Sequence, residues 1–178
     1  MIKRCSWVEG KEEIYLRYHD EEWGIAKYDD DILFEMLVLE SFQAGLSWIT
    51  ILKKRKSFKT AFDDFNLDKI INYDDDKVRQ LLENEKIIRH EGKIRATINN
   101  AKVFKVIQKE YGSFSNYIWG FTDGKIIKSE YKTKSELSDK IAKDLKKKGM
   151  KFVGSTTIYS YLEAIGIIDN HEKDCFKY

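Results

Sequence analysis

The chain has 178 residues, which bounds it to about one domain, and its 42% apolar share supplies a core and excludes wholesale disorder. Charged residues are abundant at 35%, yet 32 Lys and Arg nearly cancel 30 Asp and Glu. The net charge of +2 excludes a histone-like arm or an acidic tail, so any basic surface must come from segregation of charge in the fold. No apolar run approaches the roughly eighteen residues of a spanning helix, and residues 1–10 lack the apolar stretch of a secretory leader. A soluble, cytoplasmic chain with no membrane partner is expected. In that compartment two cysteines argue against a disulfide framework.

Proline is absent, so Gly, Asn and Asp punctuate the elements. Helical periodicity dominates. The first clear helix is predicted over residues 30–43, with Asp29 as its N-cap. A second runs over about 48–56, behind Gly45 as a stop and Ser47 as a cap. Further helices are predicted over about 74–84, 93–111, 114–121, 135–148 and 155–165. Residues 124–127 read as a short strand or a plain loop. With no βαβ alternation and no repeat, the pattern describes one compact all-α domain over residues 1–178.

Cys and His total five residues, and four of them lie at the ends: Cys5, His19, His171 and Cys175. His171 and Cys175 are four apart, so one helical turn would align them. Two thiolates and two imidazoles would make a closed, structural zinc site clipping the termini together. The same residues also read as two buried cysteines and two surface histidines.

Glu40 breaks two local rules. Its helix is apolar almost all round, and its helical neighbours are Leu33, Met36, Leu37 and Ala44. It also places a negative charge near the helix C-terminus. A carboxylate in an apolar pocket is a candidate acid, base or cation partner, or else it reaches solvent or pairs with a cation. The front of the chain is crowded with rings: Trp7, Tyr15, Tyr18 and Trp23. They read as core packing or as a cage for a planar cation or a flipped base.

Several blocks together resemble the DNA-3-methyladenine glycosylase I family. They are Cys5-Ser6-Trp7, Tyr18-His19-Asp20-x-Glu22-Trp23-Gly24, Leu39-Glu40-x-x-Gln43-Ala44-Gly45-Leu46-Ser47-Trp48, Lys151-Phe152-Val153-Gly154 and His171-x-x-x-Cys175. The resemblance implies an all-helical member of the helix-hairpin-helix superfamily that excises 3-methyladenine from alkylated double-stranded DNA and releases the free base. It implies one structural Zn2+ on Cys5, His19, His171 and Cys175. It implies catalytic roles for Glu40 and Tyr18 in a base pocket walled by Trp7, Tyr15, Trp23 and Trp48. Gly45 and Leu46 are expected at the gap left by the flipped nucleotide. Lys151, Gly154 and Ser155 are expected on the DNA, followed by Lys53, Lys54 and Arg55. A monomer is expected. The usual superfamily hairpin reads Gly-x-Gly; here its equivalent reads Phe152-Val153-Gly154, with residues 89–93 as a competing turn. Ser41 and Phe42, between Glu40 and Gln43, are expected to alter the pocket's edge. Asp169 lies where the superfamily's catalytic Asp would fall, but beside His171 it is assigned no role.

Overall fold

The computed structural model describes residues 2–130 and 132–178. It is mostly helical. The α-helices are α1 (Glu13–Glu21), α2 (Asp30–Gln43), α3 (Trp48–Ala61), α4 (Leu67–Ile70), α5 (Asp75–Glu83), α6 (Glu91–Tyr111), α7 (Phe114–Gly120), α8 (Glu136–Lys147) and α9 (Ser155–Ala164). Two short strands, β1 (Ile127–Lys128) and β2 (Ile168–Asp169), pair in parallel with Ile127 opposite Ile168. Among the described residues no helix is long and apolar enough to cross a membrane.

α2 is the axis of the fold. Ten consecutive residues, Leu33 to Phe42, are buried, and α3, α6, α7 and α9 pack around it. A helix apolar on every face has to sit this way. Its start is fixed where the sequence places it, because the Asp29 carboxylate accepts from the backbone N–H of Asp31 and Ile32. Such a cap is worth about 0.5–2 kcal/mol. Asp30 turns outward and accepts from Gln108 and from the backbone N–H of Phe114 and Ser115. One carboxylate thereby satisfies the orphan amides of α7 and ties it to the end of α6.

α8 and α9 pack side by side and are joined by residues 148–154. Phe152 in this turn has φ +56°, a left-handed conformation that costs a bulky residue energy. Its ring is exposed and lies edge-on to His90, so the turn at residues 89–93 and the 148–154 turn are neighbours. Asn100 of α6 pins the latter, donating to the Lys151 carbonyl and accepting from the Lys151 N–H.

Two departures from the periodicity stand out. α1 is a helix the pattern did not announce, since nine residues with four charges carry only a thin apolar stripe of Ile14, Tyr15 and Tyr18. Residues 171–175 form no helical turn. The Asp169 carboxylate accepts from the His171 N–H, and Cys175 N–H reaches Glu172 O, so tight turns carry the chain round instead.

Candidate active site and metal-binding cluster

η1 (Ser6–Val8), α1, the Trp23 loop, the end of α2, the start of α3 and α9 surround one cavity of about 230 Å³. It is lined by Trp7, Tyr15, Tyr18, Trp23, Glu40, Gln43, Trp48, Ser160 and Glu163. That is below the roughly 300–1,000 Å³ of drug-sized sites and suits a single flat heterocycle. All six pocket residues singled out in the sequence meet here. Trp7 stands edge-on to Tyr15 and to Trp23, at 5.3 and 5.0 Å between ring centroids. Tyr18 is tilted against Trp48 at 5.4 Å. The indole N–H groups of Trp7 and Trp48 are buried without a hydrogen-bond acceptor among the described residues.

Glu40 is 3% exposed and makes no hydrogen bond or ion pair within the described residues. Burial raises its pKa well above the ordinary value, and the Glu163 carboxylate adds to this. Burial also raises Tyr18, with Glu40 contributing next. A buried carboxylate that lines a cavity and has no partner among the described residues is poised to take a cation or a hydrogen-bond donor. Ser41 and Phe42 do not shape the pocket edge. Both are buried away from it, and Phe42 packs on Phe58 and Phe62.

Glu163 went unnoticed in the sequence. Burial pushes its carboxyl up to about 7, while the Asn170 amide, donating at 2.6 Å, opposes the rise. The signal was the one that marked Glu40: a carboxylate inside an apolar helical run, here Tyr161-Leu162-Glu163-Ala164.

Behind the pocket the termini meet. The donor atoms of Cys5, His19 and Cys175 lie within 4.8 Å of one another, all buried. The His171 ring is 5.3 Å from that of His19, and its buried Nε2 has no hydrogen-bond partner among the described residues. Both imidazoles are oriented through Nδ1, His19 by Asp20 at 2.8 Å and His171 by Asp169 at 2.7 Å. Asp20 is held in turn by a two-pronged Arg4 pair, and Asp169 by Lys128. This arrangement leaves the His171 Nε2 without a partner among the described residues and the His19 Nε2 at 3.5 Å from Cys175 Sγ, as the ligands of one metal would stand. Burial pushes the Cys5 thiol up to about 12, a setting that a bound cation would reverse. The donor set fits a closed tetrahedral Cys₂His₂ zinc site. Gly24 makes the approach possible: a Cβ there would lie 2.6 Å from His171 Cε1.

The residues expected on DNA lie on α3, on the loop between α2 and α3, and on the turn and first residue of α9. Leu46 is 38% exposed at the tip after Gly45, whose φ is +79°. Gly154 is the N-cap residue of α9 and gives it no side-chain cap. Ser155 shares a hydroxyl contact with Ser138 at 2.8 Å. The Lys151 side chain is exposed, but its backbone N–H is spent on Asn100. Arg55 is not a free surface cation. It is half-buried and bonded to Glu22 and Glu35. Lys53 pairs with Glu12, and Lys54 reaches the Glu85 carbonyl.

Comparison with known proteins gives this geometry a family. The methyladenine glycosylase family profile matches residues 7–178. The DNA-3-methyladenine glycosylase of Haemophilus influenzae is 41% identical, covering 98% of this chain and 97% of its own. DNA-3-methyladenine glycosylase 1 of Escherichia coli K12 is 39% identical, covering 99% and 97%. A crystal structure of a 3-methyladenine DNA glycosylase I superposes with a TM-score of 0.94 at 42% identity over 98% of both chains. The Staphylococcus aureus enzyme, solved to explain 3-methyladenine recognition, gives 0.93 at 38% identity over 97% and 95%. The chain belongs to the methyladenine glycosylase family.

Proposed function

We propose that Glu40 and Tyr18 recognise a flipped, cationic 3-methyladenine inside the aromatic pocket of a DNA glycosylase. The chain excises 3-methyladenine from alkylated DNA by hydrolysis of the N-glycosidic bond, the opening step of base excision repair. The observation that carries the recognition reading is Glu40: a buried carboxylate with no hydrogen-bond or ion-pair partner among the described residues, set in a pocket of rings.

N3 methylation makes the adenine cationic, so the base departs neutral when the bond to C1′ breaks. The water that attacks C1′ gives its proton to solvent. Little acid–base power is required of the protein; extrusion and discrimination are its tasks. Flipping costs a few kcal/mol, less for a damaged base. Ring faces attract the cation, and Glu40 accepts from the base edge with its charge restored by that cation. The attraction must not favour the ground state alone, because charge moves from base to sugar as the bond breaks. Tyr18 and the two orphan indole N–H groups supply donors to the base or the attacking water.

The rim carries the DNA in this reading. Leu46, with Gly45 behind it, fills the vacated stack. The α8–turn–α9 unit serves as a helix-hairpin-helix, in which Gly154 and Ser155 present the uncapped amides of α9 to a phosphate and Lys151 adds charge. Cys5, His19, His171 and Cys175 hold one zinc ion, which supplies no chemistry to the bond and closes the termini. The enzyme acts as a cytoplasmic monomer on duplex DNA and releases free base.

The test is chromatographic. Purified protein is incubated with methylated duplex DNA and each released base is quantified. Selective release of 3-methyladenine is expected. Glu40→Gln should fold normally and lose roughly 10- to 100-fold in kcat/KM, the worth of a charge-assisted hydrogen bond. Unchanged rates would remove Glu40 from the mechanism.

A further inference from the structure

α6 carries a buried polar stripe that neither the pocket nor the metal cluster uses. Lys93, Thr97 and Asn100 lie at i, i+4 and i+7, at 7%, 3% and 3% exposure. Among the described residues Lys93 has no carboxylate partner. Its Nζ donates to the carbonyls of Phe42 at 2.9 Å and Ala44 at 2.6 Å. These belong to the C-terminal end of α2, where carbonyls lack helical partners and the dipole is negative. Ala44 is the residue before the Gly45–Leu46 tip, which is closed by Leu46 N–H to Gln43 O and by Gln43 Nε2 to Leu46 O.

Two turns further along α6, Asn100 holds the other loop. It exchanges two hydrogen bonds with the Lys151 backbone, and Asn99 beside it donates to Gly149 O at 2.7 Å. A single helix thus grips both loops through side-chain bonds to their backbones. Burying a Lys and an Asn is costly unless they are paired, and apolar side chains would pack the same face more cheaply. What the polar stripe adds is a fixed spacing between two loops with left-handed residues, Gly45 on one and Gly149 and Phe152 on the other.

We infer that Lys93 and Asn100 are positioning residues, which set the distance between the Leu46 tip and the 149–154 turn so that both engage one duplex together. This rests on the reading that the two loops are the DNA rim.

The experiment compares duplex binding with free-base binding. A fluorescent duplex carrying one tetrahydrofuran abasic site reports the first by anisotropy. Titration with free 3-methyladenine, read by tryptophan fluorescence, reports the second. Lys93→Met and Asn100→Ala should each weaken duplex binding about tenfold, the worth of the lost hydrogen bonds, with free-base affinity held within about twofold. Lys93→Arg, which still reaches carbonyls, should recover most of the loss. In a Leu46→Ala background the Lys93→Met effect should shrink, because the tip it positions is gone. Folded variants with wild-type duplex affinity, equal losses for duplex and free base, or additivity with Leu46→Ala would each overturn the inference. A folded Leu46→Ala protein with wild-type duplex affinity would instead sink the rim reading on which it rests. Active wild type with unaffected variants sinks this inference alone.

Discussion

Replacing Glu163 with Gln removes one ionisable group from the pocket while keeping an oxygen for the Asn170 amide, which donates to Glu163 Oε1 at 2.6 Å. In the folded protein burial holds this carboxyl to about 7, against an ordinary value of 4.5. Between those pH values the folded chain binds the proton and the unfolded chain has released it. Stability from this group is therefore complete below pH 4.5 and falls as pH rises to about 7. At roughly 1.4 kcal/mol per pH unit, the interval corresponds to about 3 kcal/mol as an upper figure. Glu163→Gln should leave stability near pH 4.5 unchanged and raise it by up to about 3 kcal/mol at pH 8. Urea unfolding of both proteins at pH 5, 6, 7 and 8 measures this, with the slope against denaturant as a check on two-state behaviour. Taking the difference at each pH cancels whatever both proteins share, including protonation of the terminal Cys and His residues. Parallel curves would refute the reasoning and place the Glu163 carboxyl in solvent. The same change removes the carboxylate that adds to the elevation of Glu40, whose own elevation by burial remains.

Gly24→Ala should cost about 1–3 kcal/mol, because φ is +71° there and the new Cβ meets the His171 ring; metal content measured alongside stability should fall with it. Chelation should lower the melting temperature before it changes the pocket chemistry of molecules still folded, which calorimetry and base release measured on the same sample would separate. Phe152→Gly should stabilise by about 0.5–1 kcal/mol, since Phe152 pays for φ +56° with an exposed ring; denaturant midpoints that move downward would show that its edge contact with His90 outweighs the backbone strain.

What could be read from the residues follows a physical line. α2 is legible to its ends because Asp29 caps it and every face is apolar. α8 is nearly so, because Ser135 and Ser138 close a capping box. α1 is not, because its inward residues face a cavity and so need no wide apolar stripe. Glu40 announced itself by breaking rules, and Glu163 broke the same rule near a helix end, where a solvent-exposed carboxylate is the ordinary reading. Lys93 and Asn100 were illegible. On a helix a Lys or Asn looks like part of a solvated face, and their partners are backbone atoms 49 to 51 residues away. Arg55 misled for the opposite reason: it sits in a basic run, and only the fold brings Glu22 and Glu35 to it.

The pocket and the terminal cluster are two faces of one wall. Trp7 is 5.5 Å from His19, and Trp23 stacks on His19 at 5.8 Å and meets His171 edge-on at 4.6 Å. The same two indoles line the cavity. Rings at a cavity gain nothing from the side that must stay open for a ligand, so their orientation has to be enforced from behind. Here the enforcement comes from imidazoles fixed by Asp20 and Asp169, which are themselves fixed by Arg4 and Lys128. Arg4 lies near one end of the chain, while Asp169 and His171 lie near the other. Cys5, His19, His171 and Cys175 therefore do more than bring distant stretches of the sequence together: the two imidazoles among them set the back of the aromatic wall without taking any residue that lines the cavity.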